Sequence, residues 1–386
     1  MQLTQPNFTH TVFPPDHPWR KGDTIHITLP PLYMPYPPSS APLAAEAEEK
    51  AMAWVTRHGL CASEEMRKHA ADACVGDFAS RVCLETSWSE PFQLMVDMVH
   101  LMFLVDDFID GSVTVEGSGR DLGTFVRVGH AFLHILKDPD SRAIRELGIF
   151  GPAVRDIARR VHELGNHPYL LRFTRDVREW FTSCFWQSAD LADGRRLGDL
   201  NSITERATDI AGHGVFTPFF PFLTPGPVSL EVLDSRDMRD LVELMATLCE
   251  VYNHMVSLGK DLWLSEQYPL HADATSLSTV AQLAQTDGIP LDEALRRAAD
   301  LTSALTGQFH RLYTQMNDAA DPATAYYLRT VAQTIRGSFD WHLTTPRYTN
   351  PDGKHPGAVT ITATTQDTPP ADQGPPVPAA ARWWRT

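Results

Sequence analysis

The feature that most constrains this chain is an apolar run, Met98-Val99-His100-Leu101-Met102-Phe103-Leu104-Val105, that ends in Asp106-Asp107-Phe108-Ile109-Asp110. On a helix, Asp106 and Asp110 share one face, and Asp107 lies about 100° round. A hydrophobic helix that ends in an acidic cluster has to neutralise it, because buried unpaired carboxylates are very costly. Hard divalent cations are the usual solution, with Mg2+ held by one or two carboxylates plus substrate phosphates. The plainer explanation is a solvated helix end with incidental acids.

The 386 residues carry a formal charge of −15, which disfavours nucleic acid and anionic membranes as partners. A chain this acidic that handles an anionic substrate must concentrate positive charge locally or borrow it from metal ions. Cys61, Cys74, Cys83, Cys184 and Cys249 are scattered, without CxxC spacing, and read as reduced core thiols in a cytosolic protein. No basic n-region precedes an apolar segment at the N-terminus. No uncharged apolar run reaches membrane-spanning length, since the stretch 216–222 is broken by Pro218 and Pro221. A soluble cytoplasmic protein without membrane insertion is expected.

Residues 1–40 are rich in proline and aromatics, densest at Leu29-Pro30-Pro31-Leu32-Tyr33-Met34-Pro35-Tyr36-Pro37-Pro38. They read as an extended arm packed over the body. Residues 41–348 are helical in pattern, with helices expected over 41–58, 64–86, 92–107, 121–137, 141–165, 168–191, 199–214, 229–264, 291–317 and 322–343. Pro290 and Pro322 suit first helical turns. Strand-like alternation is scarce, so an all-α single domain follows. Residues 349–386 are Pro, Thr, Ala and Gln, a composition expected to be disordered. They end in Arg382-Trp383-Trp384-Arg385, a docking element or a loose chain end.

A second constellation sits on the helix expected over 229–264. Asn253, Ser257 and Asp261 are spaced i, i+4, i+8 and point the same way. An amide oxygen, a hydroxyl and a carboxylate form an all-oxygen set suited to Mg2+ and poor for zinc. Lys260 beside them offers a cation to a phosphate oxygen. The neighbouring residues are strongly apolar, so this polar stripe lies on a buried helix and needs partners.

Together the two patches resemble the class I terpene synthase (terpene cyclase) family, specifically its bacterial members. Asp106-Asp107-Phe108-Ile109-Asp110 matches the DDxxD motif, and Asn253-His254-Met255-Val256-Ser257-Leu258-Gly259-Lys260-Asp261 matches the N-D-x-x-S-x-x-K-E motif. In the second, Asp261 replaces the more usual glutamate and His254 replaces a non-ligand aspartate. Arg347-Tyr348 matches an Arg-Tyr pair near the C-terminus, and Arg206 matches a pyrophosphate-sensing arginine upstream of the second motif.

The resemblance implies a helical bundle around a central cavity and an acyclic prenyl diphosphate substrate of farnesyl or geranylgeranyl length. Three Mg2+ ions would stabilise the departing pyrophosphate, and the carbocation would cyclise to a sesquiterpene or diterpene hydrocarbon or alcohol. It assigns Asp106 as the principal bridging metal ligand, with Asp107 and Asp110 in the same metal motif as supports or partners of basic groups. Asn253, Ser257 and Asp261 would hold the third ion. Arg206, Lys260, Arg347 and Tyr348 would donate to the pyrophosphate. Asp209 would link Arg206 to a backbone break at Ile210, which Gly212 and Gly214 make reasonable. Without the resemblance, Arg206 and Asp209 form a simple i,i+3 helix pair.

Phe103, one turn before Asp106, is the expected cavity wall. Phe78, Trp186, Phe220 and Trp341 are further candidates for which core packing is the plainer role. A homodimer is compatible with the sequence. Two alternatives compete. A chain-elongating prenyltransferase needs a second DDxxD, which Asn253 to Asp261 does not supply. A non-catalytic helical scaffold would account for His254 and Asp261.

Overall fold

A computed structural model describes residues 25–110, 122–192, 200–260, 280, 283–284, 287–349, 359–371 and 374–385. Asp261 and the side chains of Asp110, Asp209 and Ile210 lie outside the described residues. The helices used below are α1 (Ala44–Arg57), α2 (Glu64–Asp72), α3 (Val75–Val82), α4 (Glu90–Asp110), α5 (Leu122–Lys137), α6 (Gly151–Leu164) and α7 (His167–Ala192). They continue as α8 (Leu200–Ile210), α9 (His213–Phe216), α10 (Arg236–Val256), α11 (Leu291–Asp318), α12 (Pro322–His342) and α13 (Pro346–Thr349).

Helix α4 runs through the interior. Phe92, Met95, Val96, Met98, Leu101 and Val105 have no exposure and are spread all round its axis. It packs against α1, α3, α6 and α9. Helix α10 forms a second axis, packed against α8, α11 and α12. Close approach needs small residues. A Cβ at Gly337 of α12 would sit 2.4 Å from the Arg81 carbonyl of α3. Helix starts follow their local chemistry: the Asp321 carboxylate accepts from the Ala323 and Thr324 amides, just ahead of Pro322.

Several long expected helices are divided by backbone that a periodicity argument does not see. The stretch 64–86 breaks at Cys74, which adopts φ 47. The stretch 141–165 begins as a 3-10 segment, Arg142–Phe150, before α6. The stretch 199–214 breaks between α8 and α9 at Gly212, with φ 69. Ser235 caps a new start at Arg236, its hydroxyl accepting from the Met238 amide at 3.3 Å.

Within the expected disordered tail 349–386, the described residues 359–371 and 374–385 are ordered against the body, which corrects the expectation there. Strand β1 (Ile25–Thr28) and strand β2 (Leu32–Tyr33) of the arm pair in parallel with β3 (Val359–Thr362) and β4 (Thr365–Gln366) of the tail. The Leu29 amide donates to the Thr362 carbonyl at 2.8 Å, and the Met34 amide to that of Gln366 at 3.0 Å. Each segment satisfies the other's backbone, which neither could do alone. The tail then ends in a 3-10 turn, Pro378–Trp383, in which Trp383 is 1% exposed. Among the described residues no helix is long and apolar enough to cross a membrane.

His100, in the middle of α4, is fully buried, with Nε2 donating to the Ala70 carbonyl at 3.1 Å. Burial pushes its pKa down to about 4. Between about pH 6.5 and that value the unfolded chain takes up a proton that the folded chain refuses, so stability falls as pH drops. His100→Gln keeps the donor and removes the titration. Denaturant unfolding near pH 5 should then show a stability-versus-pH slope shallower by about 1.4 kcal/mol per pH unit; an unchanged slope would contradict this account.

Candidate active site

Asp107 is where the two ends of the site meet. Its carboxylate is 2% exposed and accepts from both terminal nitrogens of Arg347, at 2.9 and 2.6 Å. His69 Nε2 donates to it at 2.7 Å. Burial alone would raise this carboxyl's pKa, but the guanidinium and the His69 ring override it and hold it far below the carboxylate range. Conversely, Asp107 keeps the buried Arg347 firmly protonated. Both oxygens of Asp107 are thus engaged by protein donors. Lying about 100° round the helix from Asp106, it stands as a partner of basic groups and anchors Arg347.

Asp106 faces the other way. Its side chain is 44% exposed and sits 4.0 Å from Arg347 Nη2. It lines a cavity of about 240 Å3, together with Asn253, Ser257, Lys260, Arg347, Tyr348 and Phe103. The sequence-predicted residues from α4, from α10 and the residues just after it, and from α13 therefore converge on one rim.

Asn253 is oriented by two acceptors. His342 Nδ1 donates to the Ser338 carbonyl at 2.7 Å, which leaves Nε2 as an acceptor for Asn253 Nδ2 at 3.3 Å. Burial holds His342 neutral, with its pKa lowered to about 4. Asn253 Nδ2 also donates to the Tyr348 hydroxyl at 2.8 Å. With its nitrogen committed to the protein, the amide oxygen is the acceptor end. Lys260 Nζ lies 5.7 Å from the Tyr348 ring centre.

Arg206 on α8 is buried, does not line the cavity, and packs against the Trp186 ring at 4.4 Å. Its expected i+3 partner Asp209 falls outside the described side chains. Helix α8 ends at Ile210, and Ala211 and Gly212 of the break line the cavity. His254 also lines it, with Nε2 3.2 Å from Glu250. Burial first, and Arg206 second, lower its pKa to about 3.

Phe103, Phe78 and Trp341 are cavity walls. Trp186 is 52% exposed and acts as a platform for Arg206. Phe220 is core, against Phe216 and Tyr327. Sequence reasoning missed Trp180, Phe216 and Glu250. Glu250 was accessible to it, being one turn before Asn253 on the same face. Trp180 and Phe216 arrive through the packing of α7 and α9, which carries no local signal.

Among the described residues no three His, Cys, Asp or Glu side chains form a ready-made metal group. Among the donors that line the cavity, the Asp106 carboxylate, the Asn253 amide oxygen and the Ser257 hydroxyl fit Mg2+, which takes few protein ligands and completes its shell with phosphate and water.

Residues 97–308, more than half of the chain, match the family model "Terpene synthase family 2, C-terminal metal binding". The chain belongs to this terpene synthase family. It is 26% identical to phomopsene synthase of Allokutzneria albata over 93% of this chain and 97% of that one. It is also 26% identical to the diterpene cyclase DtcycA of a Streptomyces species, over 93% and 96%. The fold is shared with 2-methylisoborneol synthase from Streptomyces coelicolor A3(2), solved with Mg2+ and 2-fluoroneryl diphosphate. That match has a TM-score of 0.70 at 15% identity, over 83% of this chain and 98% of that one. The all-α class I architecture is therefore confirmed, as is the reaction class of a lyase acting on prenyl diphosphates.

Replacing Asp107 strands a buried guanidinium. Asp107→Asn should lower unfolding free energy by roughly 3–5 kcal/mol, measured by urea denaturation at pH 7. A loss below about 1 kcal/mol, the value of a surface pair, would show that Arg347 finds another counter-charge.

Proposed function

We propose that this terpene synthase ionises an acyclic prenyl diphosphate at the Asp106–Asn253–Ser257 rim and folds the resulting cation against the aromatic wall below it. One observation carries the reading: the rim groups and the aromatic walls line the same cavity. The resemblance of this chain to a diterpene cyclase along nearly its full length favours geranylgeranyl diphosphate, with farnesyl diphosphate next.

Asp106, Asn253 and Ser257, with Asp110 and Asp261 from outside the described side chains, would hold Mg2+. Bound there, the metal supplies Lewis-acid stabilisation of the leaving diphosphate. Lys260 and Arg347 add fixed positive charge at the same rim, aimed at the charge that develops as the C–O bond breaks. Tyr348 offers its hydroxyl and, through Asn253, keeps the amide oriented. Arg206 would act from α8, the helix that ends at the break lining the cavity. Below the rim, Phe78, Phe103, Phe216 and Trp341 exclude water and present ring faces to the cation, each worth roughly 1–2 kcal/mol when desolvated.

Purified chain should release pyrophosphate from geranylgeranyl or farnesyl diphosphate only when Mg2+ is present, with a cyclic product extractable into hexane. Asp106→Ala and Asn253→Ala should each reduce release by about 100-fold or more while the helical circular dichroism spectrum stays unchanged. Near-normal turnover in either variant sinks the rim assignment. Silence of the wild-type chain on substrates of ten to twenty carbons would favour the scaffold.

A further inference from the structure

The 3-10 turn Pro378–Trp383 touches three helices at once. The Ala379 amide donates to Asn201 Oδ1 of α8 at 2.5 Å. Arg382 Nε lies 3.5 Å from the Glu243 carboxylate of α10. The Trp383 carbonyl accepts from Gln308 Nε2 of α11. Ala380 and Trp383 are buried, at 0% and 1% exposure, and the turn packs against α8.

Helix α8 has a particular need of such support. It spans only 11 residues and ends at a glycine-based break that opens on the cavity. Helices this short gain their stability from what they pack against. Arg206 lies five residues beyond Asn201, about 7.5 Å along the axis, so a shift of α8 at Asn201 is carried to the guanidinium.

We propose that Trp383 is a positioning residue for diphosphate binding: the tail turn staples α8 to α10 and α11, and thereby sets Arg206 relative to the metal-binding rim. The inference rests on the reading of Arg206 as a diphosphate ligand. Beside these polar contacts, the Trp383 ring itself lies in the apolar core. Among the described residues the buried Trp383 indole N–H has no hydrogen-bond partner, so the ring serves by its area and another large ring can replace it.

The test uses the full chain with inorganic pyrophosphate and Mg2+, titrated by calorimetry, alongside melting temperature and the KM and kcat of pyrophosphate release. Trp383→Ala should weaken pyrophosphate binding about 10-fold and raise KM. Trp383→Phe should stay within about 2-fold of the wild type. Asn201→Ala, which leaves the core untouched, should fall between them and keeps the test decisive if Trp383→Ala does not fold. Ile157→Ala, in the core on α6, is the control for destabilisation alone: a lower melting temperature with unchanged pyrophosphate affinity. The proposal is overturned if Trp383→Ala behaves like Ile157→Ala, or if Asn201→Ala binds pyrophosphate as tightly as the wild type. A wild-type chain that binds no pyrophosphate with Mg2+ overturns the active-site reading first, and this inference with it.

Discussion

The buried ion pair between Asp107 and Arg347 is the constraint on which the rest of the site depends. It joins residues 240 apart in sequence, the end of the central helix and the first turn beyond α12. A buried pair of this kind is weak evidence of net stability, because desolvating two charges offsets most of their attraction. Its value is positional. Once Arg347 is locked, Tyr348 follows, Tyr348 orients Asn253, and His342 fixes the same amide from a second side. One carboxylate engaged by Arg347 and His69 thus decides how an amide on another helix is oriented.

Much of this was legible in the residues. The apolar run before Asp106 identified the central helix, and α-helical spacing brought Asn253 and Ser257 to one face. The offset of Asp107 from Asp106 already implied that the two carboxylates would face different surroundings. The tail was not legible, and the reason is physical. Disorder was inferred from local composition, which asks whether a segment can bury its own surface. Thr28 and Thr362 meet across 334 residues, so the satisfying partner of each strand lies at the opposite end of the chain. Two segments that are each unable to form structure supply each other's missing hydrogen bonds. The breaks at Cys74 and Gly212 were hidden for a related reason, since helical periodicity continues across them while the backbone turns.

The aromatic wall gains rigidity from the same economy of contacts. Phe78 meets Phe216 and Trp341 edge to face at 5.5 and 5.2 Å, and Phe103 lies 5.7 Å from Trp341. Each ring is held by a neighbouring ring, so the cavity shape is a property of the group. The Trp341 indole donates to the backbone carbonyls of Ala73 and Cys74, which ties the wall to the left-handed residue between α2 and α3. Product shape would therefore respond to changes at positions that do not touch the cavity.

Phe103 connects the two halves of the chemistry. Its ring forms part of the wall, and the Arg347 guanidinium lies over it at 4.9 Å. The cation that grips Asp107 therefore also rests on a ring available to a carbocation. Arg347 lines the cavity while Asp107 holds its guanidinium by two hydrogen bonds, which fixes where its charge sits. The placement of Asp107, buried and off the cavity lining, is what holds a strong cation at the edge of an aromatic pocket.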